Sequence, residues 1–214
     1  MDRRGRPRRP CDGTRQDRLW PVFASPVARR DAALNVTATA LDGVLAIEPR
    51  VFTDARGYFV ESFNQRQFRD LVAPGVSFVQ DNQSFSCKGV VRGLHYQVQP
   101  KAQGKLVRAV AGEIFDVAID IRQGSPRFGQ WVGIRLSADN NRQLWIPEGF
   151  AHGFQVLSET ATVLYKTTDY WSAAHERAIR WDDPALAIDW PLKTEPIISD
   201  KDRNAPLLAD ITPG

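Results

Sequence analysis

Residues 113–121 read Glu-Ile-Phe-Asp-Val-Ala-Ile-Asp-Ile, and this stretch decides the fold class. Side chains of a β-strand point alternately to opposite faces, so the even-numbered residues 114–120 share one face and the odd-numbered residues 115–121 share the other. The odd-numbered face is entirely apolar, and the even-numbered face combines apolar residues with Asp116 and Asp120. The alternation predicts a strand that runs through the body of a sheet.

The same kind of alternation recurs on both sides of this stretch. Turn-forming residues separate the runs, as at 54–57, 124–126 and 138–141. One amphipathic helix is predicted, from Asn64 to Val72, with Asn64 as its N-cap. Roughly ten strands without intervening helices predict one all-β domain, a β-sandwich or barrel of the jelly-roll type with a few short helices. The further strand-like runs are 44–47, 57–63, 130–136, 143–146 and 161–167.

Composition places the chain among ordinary soluble proteins. It has 214 residues, of which 43% are hydrophobic and 25% are charged. No stretch approaches the ~18 apolar residues of a membrane-spanning helix, so no membrane partner is expected. Two cysteines, Cys11 and Cys87, are too few for a disulfide framework, and their spacing fits no metal knuckle. We therefore expect a reducing, cytoplasmic setting.

The net charge of +3 is concentrated at the N-terminus. Residues 1–30 contain nine arginines and three aspartates, a net charge of +6, so the rest of the chain carries −3. We interpret 1–35 as a basic, disordered extension and 36–214 as a single jelly-roll domain. No aromatic residues are interleaved with the cluster of arginines in the way that binding of single-stranded nucleic acid would need, and no nucleic-acid partner is expected. Organelle targeting and a nonessential extension are the alternatives.

The candidate chemistry centres on two of the three histidines. His95 follows Arg92 in the segment 89–97 and precedes Lys105, whereas His152 lies in the segment 146–154. Arg92, His95 and Lys105 are polar residues in segments whose pattern predicts burial, so they need hydrogen-bond partners or a ligand. For each histidine, a core residue satisfied by hydrogen bonds is the simpler interpretation. Arg92 and His95 are three residues apart and would face opposite sides of a regular strand, but glycine bends at Gly89 and Gly93 allow both to reach one cavity. His175 is expected to be an exposed loop histidine.

The sequence around these residues resembles the dTDP-4-dehydrorhamnose 3,5-epimerases, a family of the cupin superfamily. The resemblance extends from about Val36 to the C-terminus and rests on the order and spacing of several short motifs. They are Phe-Thr-Asp-Ala-Arg-Gly-Tyr-Phe-Val-Glu (52–61), Gln-Asp-Asn-Gln-Ser (80–84), Arg-Gly-Leu-His-Tyr-Gln (92–97), Gly-Lys-Leu-Val (104–107), Ile-Pro-Glu-Gly-Phe-Ala-His-Gly-Phe (146–154), Tyr-Lys-Thr-Thr-Asp-Tyr (165–170) and Ser-Asp-Lys-Asp-Arg (199–203).

The resemblance implies a cupin-type jelly roll and a homodimer with exchanged N-terminal strands. It also implies epimerisation without a cofactor or metal. The substrate would be dTDP-4-dehydro-6-deoxy-D-glucose, epimerised at C3 and C5 to dTDP-4-dehydro-L-rhamnose. In this comparison His95 resembles the general base and Asp202 its dyad partner. Tyr165 resembles the general acid, and Lys105 the group beside the developing enolate.

The resemblance also implies a set of substrate-binding residues. Arginines suit a diphosphate because the guanidinium group can donate two parallel hydrogen bonds, and Arg108 is a further candidate for this contact. The nucleotide-binding segment is implied to act across the dimer. The implied residues are Arg56, Phe59, Glu61, Gln80, Asn82, Arg92, His152 and Tyr170.

The residue types suit this chemistry independently of the resemblance. A C–H bond beside a ketone can be deprotonated only when the charge that passes to the carbonyl oxygen is stabilised, and Lys105 supplies a positive charge. Histidine has a pKa of ~6.5 and suits a base near neutral pH, and a carboxylate such as Asp202 stabilises its protonated form. Inversion requires a proton from the opposite face, and a tyrosine with a pKa of ~10 suits that step.

Two other functions compete with this interpretation. A metal-dependent cupin would need a His-x-His triplet and a glutamate in its first motif, but the triplet here is His95-Tyr96-Gln97. A sugar-nucleotide-binding cupin without activity is the second alternative, which the presence of the four implied catalytic residues argues against. Trp171 and Ala173 depart from the family pattern, where tyrosine and proline are frequent. These departures leave single and double epimerisation both open, and the pathway that uses the product undetermined.

Overall fold

The computed structural model describes residues 34–211. The predicted basic extension lies outside the described residues except at its last two positions, and the division at residue 35 stays a prediction. The described elements are β1 (Asn35–Ala38), β2 (Leu45–Glu48), β3 (Val51–Asp54), β4 (Gly57–Val60), α1 (Gln65–Leu71), β5 (Gln80–Cys87), β6 (Val91–Gln97), β7 (Lys105–Ala111), β8 (Glu113–Asp120), β9 (Trp131–Ser137), β10 (Gln143–Ile146), β11 (Phe150–Val156), β12 (Thr160–Thr167), β13 (Glu176–Ala178), α2 (Asp200–Arg203) and a 3₁₀ turn at Leu208–Asp210.

Two antiparallel sheets form the body of the protein. One has six strands in the order β1-β2-β10-β7-β12-β5, and the other has five in the order β13-β6-β11-β8-β9. A separate two-stranded hairpin consists of β3 and β4. The all-β jelly-roll prediction is confirmed. The described residues contain more strands than the roughly ten expected, because short strands such as β1 and β13 lack a long apolar alternation. No helix within residues 34–211 has the length and apolar character needed to cross a membrane.

The strand β8 has buried side chains on both faces. Ile114 and Ala118 pack into the core between the two sheets. Val117 and Ile119 pack into a second core, which is covered by the C-terminal segment through residues such as Trp190. The predicted alternation is therefore confirmed, and its apolar face is buried because the C-terminal segment folds back over the smaller sheet.

The predicted helix is confirmed as α1. The Asn64 side chain accepts hydrogen bonds from the backbone N–H groups of Arg66 and Gln67, which is the arrangement expected of an N-cap. Phe68 is the buried residue of the helix and packs edge-on against Trp145 of β10. These aromatic contacts hold α1 against the six-stranded sheet.

A bulge between β6 and β11 determines which β6 side chains reach the interior. His152 pairs with His95, but Phe154 pairs with Arg92. Between these two pairs the chain advances by three residues on β6 and by only two on β11. The extra residue reverses the normal alternation and brings Arg92 and His95 to the same side. Gly93 lies inside the bulge at φ +114°. A Cβ atom there would lie 2.7 Å from both the Cα of Gly153 and the carbonyl oxygen of His152.

We expect Gly93→Ala to destabilise the protein by roughly 3 kcal/mol, because both the left-handed φ and the close backbone of β11 oppose a side chain. Gly89 provides the control: it also has a positive φ, of +78°, but a Cβ atom there would meet no neighbour within 4 Å. Gly89→Ala should therefore cost only about 1 kcal/mol. Urea unfolding of both variants measures the difference. Equal losses would show that the close approach of β11 is not the constraint.

Candidate active site

A cavity of about 280 Å³ opens between the two sheets and gathers most of the predicted site residues. Its walls come from β5, β7 and β12 on one side and from β6, β11 and β13 on the other. The predicted residues that line it are Gln80, Asn82, Arg92, His95, Lys105, His152 and Tyr165. Residues as far apart in the sequence as Gln80 and Tyr165 thus meet at one site, and polar side chains form much of its wall.

His95 forms a short hydrogen bond to Asp202, with 2.6 Å between Nε2 and Oδ1. The second oxygen of Asp202 accepts a hydrogen bond from the Gly93 backbone N–H at 3.2 Å. Ser199 caps the short helix α2 and thereby fixes Asp202. Burial alone would raise the pKa of Asp202, but the hydrogen bonds from His95, Gly93 and Ser199 outweigh it and hold the pKa below its ordinary value. Asp202 is therefore an ionised acceptor that fixes one ring nitrogen of His95.

The tautomer of His95 follows from this pairing. An ionised carboxylate can only accept, so Nε2 carries a hydrogen atom and the neutral ring has its lone pair on Nδ1. Because His95 lines the cavity, Nδ1 is the atom that can take a proton from a bound molecule. The imidazolium that forms would be stabilised by Asp202.

Lys105 is a buried cation beside His95. Its Nζ donates a hydrogen bond to the backbone carbonyl of His95 at 3.0 Å. Burial lowers the pKa of Lys105 to about 8, although the charges of Asp116 and Glu176 oppose this effect. At neutral pH most Lys105 side chains are therefore protonated, and each supplies a positive charge that is buried from solvent.

A second histidine–carboxylate pair lies on the neighbouring strands. Nε2 of His152 is 2.8 Å from Oδ1 of the fully buried Asp116. Burial lowers the pKa of His152 despite the opposing charge of Asp116, so this ring is neutral at pH 7. Oδ2 of Asp116 is buried without a hydrogen-bond partner. The sequence did not lead us to predict a role for Asp116. The available signal was its carboxylate, which lies on the same face of β8 as Ile114 and Ala118.

Tyr165 faces the cavity from β12, in the sheet opposite His95. Burial raises the pKa of its phenol, and Glu176 raises it further while Arg92 lowers it. The phenol therefore stays protonated through the neutral range. Arg92 is itself held by β5, since its guanidinium donates to the Ser86 hydroxyl at 3.0 Å and to the Phe85 carbonyl at 3.3 Å.

Glutamine side chains hold the loop 169–175, which we call the rim, over the mouth of the cavity. Gln80 accepts a hydrogen bond from the backbone N–H of Trp171 at 3.1 Å and donates to Asn82 at 2.8 Å. Gln97 donates to the carbonyl of Tyr170, and Gln103 to that of Asp169. Contact of Gln80 and Asn82 with the substrate stays a prediction, and the supporting roles of Gln97 and Gln103 were missed.

Besides Asp202, which reaches the site through its hydrogen bond to His95, four predicted site residues do not line this cavity. Arg56, Phe59 and Glu61 lie on or just after the exposed β3–β4 hairpin, where Arg56 pairs with Asp54. Tyr170 lies on the rim with an exposed side chain. The further candidate Arg108 lines a separate cavity of about 190 Å³, together with Tyr165 and residues near α1.

Comparison with known proteins identifies the family. A family model described as dTDP-4-dehydrorhamnose 3,5-epimerase matches residues 38–210. The chain belongs to this family. A dTDP-4-dehydrorhamnose 3,5-epimerase from Pseudomonas aeruginosa is 61% identical over 177 residues, which cover 83% of this chain and 97% of the relative. The predicted membership, and with it the class of sugar-nucleotide epimerase, is confirmed.

Solved structures of the epimerase family agree with the fold. A dTDP-6-deoxy-D-glucose-3,5-epimerase from Legionella pneumophila, in complex with dTDP-4-keto-L-rhamnose, is 54% identical with a TM-score of 0.81 and covers 84% of this chain and 95% of its own. A 3'-monoepimerase from Streptomyces bikiniensis, in complex with dTDP-quinovose, is 35% identical with a TM-score of 0.75 and covers 80% and 86%. The fold is thus shared by relatives described as single and double epimerases.

A metal-dependent enzyme would need a cluster of side chains that can bind a metal ion. No group of three or more His, Cys, Asp or Glu residues in the part of the chain that the structure describes could hold a metal ion. Both cavity histidines instead direct one ring nitrogen to a carboxylate. Independence from a cofactor stays a prediction.

We expect Lys105→Met to raise stability at pH 7 by roughly 2–3 kcal/mol while it removes activity. A buried group whose pKa falls from 10.5 to about 8 binds its proton less tightly when folded, so folding carries a cost that is fully present below pH 8 and disappears as the pH rises to 10.5. Urea unfolding at pH 7 and pH 10 measures the gain and its decline. A Met variant that is less stable than the wild type at pH 7 would contradict this account.

Proposed function

We propose that the enzyme converts dTDP-4-dehydro-6-deoxy-D-glucose to dTDP-4-dehydro-L-rhamnose by removing and returning a proton at C3 and at C5. The observation that carries the proposal is the His95–Asp202 pair in one cavity with Lys105 and Tyr165. A base, a buried cation and a protonated phenol are the groups that an epimerisation beside a ketone requires.

The first step transfers a carbon-bound proton to His95. The electron pair of the C–H bond forms the carbon–carbon double bond of the enolate, and the carbonyl electrons pass to the oxygen at C4. Asp202 stabilises the imidazolium, and the Lys105 ammonium stabilises the oxyanion. The weak hydration of the buried ammonium strengthens that interaction, because its charge is little screened by water.

The second step returns a proton from the opposite side. Tyr165 lies on the six-stranded sheet, whereas His95 lies on the five-stranded sheet, so a sugar ring between them would have one group on each face. Protonation of the enolate carbon by the phenol inverts the centre. The raised pKa of Tyr165 supports this role, because the phenol is kept in its acid form until the enolate develops.

Arg92 and His152 are proposed to bind the substrate rather than to move protons. Arg92 brings a guanidinium group to the cavity, suited to the diphosphate, and β5 holds it in place. His152, neutral and fixed by Asp116, offers its remaining ring nitrogen to a sugar hydroxyl. Tyr170, on the rim, is proposed to contact the nucleotide.

We propose that Arg56, Phe59 and Glu61 complete the nucleotide site of a second copy in a homodimer with exchanged N-terminal strands. The hairpin that presents them leaves large apolar side chains in solvent, with Tyr58 59% exposed and Phe59 67% exposed. An exposed apolar patch on a soluble domain marks a surface that is covered by a partner. A cytoplasmic location is proposed as well, because Cys87 is an exposed free thiol of the kind that reducing compartments preserve.

Single epimerisation is the second candidate function. The 35% identical relative described as a 3'-monoepimerase favours it, since both kinds of enzyme share this fold. The two reactions use the same groups and differ in how many carbons exchange protons, so solvent exchange separates them.

In deuterated water we expect the enzyme to introduce deuterium at both C3 and C5, seen by proton NMR of the sugar. His95→Asn should reduce the exchange at both carbons by at least about a thousandfold, because it removes the proposed base. Tyr165→Phe should retain exchange but lose inversion. Lys88→Gln, which changes an exposed residue of an ion pair outside the cavity, is the control and should keep wild-type rates.

Each outcome of this experiment has a defined meaning. Exchange at one carbon only would identify a mono-epimerase. A wild-type enzyme that binds the nucleotide sugar but exchanges neither carbon would be a binding protein, and the proposed activity would be wrong. Wild-type exchange in His95→Asn would remove His95 as the base.

The proposed exchange of strands can be tested by mixing two inactive variants. We expect Arg56→Ala/Phe59→Ala to lower kcat/KM by about a hundredfold, since the nucleotide would be misplaced. When this variant and His95→Asn are unfolded and refolded together, mixed dimers should contain one intact site and restore about a quarter of the wild-type activity. If the hairpin acted on its own chain, every site in the mixture would stay defective and activity would not return.

A further inference from the structure

Gln97 is a buried polar residue of the cavity wall to which the proposed reaction gives no part. It ends β6 two positions after His95, so the two side chains lie on the same face of the strand, and both line the cavity. The residue is only 6% exposed. A buried amide needs partners for its donors and its acceptor, and these partners show which parts of the protein Gln97 holds together.

The hydrogen-bond partners of the Gln97 amide lie in two segments outside β6. Its Nε2 donates to the backbone carbonyl of Lys101 at 2.6 Å and to that of Tyr170 at 3.2 Å. Its Oε1 accepts a hydrogen bond from the backbone N–H of Ser172 at 2.6 Å. One side chain therefore joins the strand that carries His95, the loop that leads from β6 to β7, and the rim.

Two of these hydrogen bonds lie on either side of Trp171. Gln97 binds the carbonyl that precedes Trp171 and the N–H that follows it, and the N–H of Trp171 itself donates to Gln80 at 3.1 Å. Trp171 lines the cavity although the residue is 58% exposed. Because an exposed indole has few packing contacts to hold it, the place of Trp171 at the mouth depends largely on these backbone hydrogen bonds.

The chemistry of an amide explains why a glutamine suits this position. The side chain must donate two hydrogen bonds and accept one, and an amide has two N–H donors and an acceptor oxygen at the same end. An ionised glutamate would only accept, and a lysine would only donate. The bracket around Trp171 therefore requires the amide itself and not merely a polar residue.

We propose that Gln97 is a positioning residue of the reaction: its amide brackets Trp171 and fixes the rim to the strand that carries His95 before the substrate binds. This rests on the proposed function, in which the rim contacts the nucleotide. A rim that is already fixed does not have to be ordered by the substrate, so less of the binding free energy is lost on association. Gln97 moves no proton, and its loss should therefore weaken substrate binding more than it slows proton transfer.

Three variants separate this role from a general effect on the fold. Gln97→Met removes all three hydrogen bonds of the amide with little change in volume. Gln97→Glu keeps the size of the side chain and its acceptor oxygen but gives up the two amide donors, so it serves as the second test if the Met variant does not fold. Gln99→Met is the matched control, because Gln99 is exposed, does not line the cavity and makes a long hydrogen bond of 3.4 Å to Glu148.

The bracket is measured first on the protein without substrate, by amide hydrogen exchange followed with NMR. The Ser172 amide should exchange at least about a hundredfold faster in Gln97→Met than in the wild type, because its acceptor is removed. The amides of β8, which lies between two neighbouring strands, should keep their rates, as should Ser172 in Gln99→Met. An unchanged rate at Ser172 would overturn the proposal. Equal acceleration at Ser172 and in β8 would overturn it as well, because it would reflect a general loss of stability.

Steady-state kinetics with the nucleotide sugar then connect the rim with the reaction. Gln97→Met and Gln97→Glu should each raise KM by about tenfold and change kcat by less than about threefold, whereas Gln99→Met should change neither. A wild-type KM in both Gln97 variants, or a loss confined to kcat, would overturn the proposal. A wild-type enzyme without epimerase activity would instead overturn the proposed function, and the hydrogen-exchange comparison would still decide whether Gln97 fixes the rim.

Discussion

The close approach of β6 to β11 at Gly93 is the constraint on which the site depends. The bulge needs a residue without a side chain, because the backbone of β11 occupies the space that a Cβ atom would fill. It turns Arg92 and His95 to the same side, and it also points the Gly93 N–H at Asp202. One local irregularity thus orients His95, the proposed base, and Arg92, a proposed substrate ligand, and helps to keep the carboxylate ionised.

The cavity tolerates buried charge because its charged groups offset one another. Lys105 lies among Asp116, Glu176 and the His95 carbonyl, and Asp116 holds His152 in turn. The compensation is incomplete, since the pKa of Lys105 still falls to about 8 and one oxygen of Asp116 has no partner. Incomplete compensation of charge is expected in a site that binds a charged transition state. A charged group that the protein neutralises fully would interact only weakly with the substrate.

Polar residues around the cavity divide into those that face the substrate and those that hold other parts of the protein. Gln80 resembles a substrate ligand in its motif, yet its amide binds the rim backbone and Asn82. Glu176 lies outside the quoted motifs and Lys201 lies within one, yet their side chains form an ion pair. Residue type and motif therefore predict that a polar group belongs to the site, whereas its partners determine what the group does there.

The sequence by itself determined the strands, the helix with its Asn64 cap, and the residue types of the site, because alternation, capping and motif spacing are local properties of the chain. Only the tertiary structure decided which groups meet. His95 and Asp202 are 107 positions apart, and Asp116 and His152 are 36 apart, so their pairing depends on strand register and on the C-terminal segment folding back over the smaller sheet. The charge on each group follows from that burial and pairing, which alternation along a single strand does not specify.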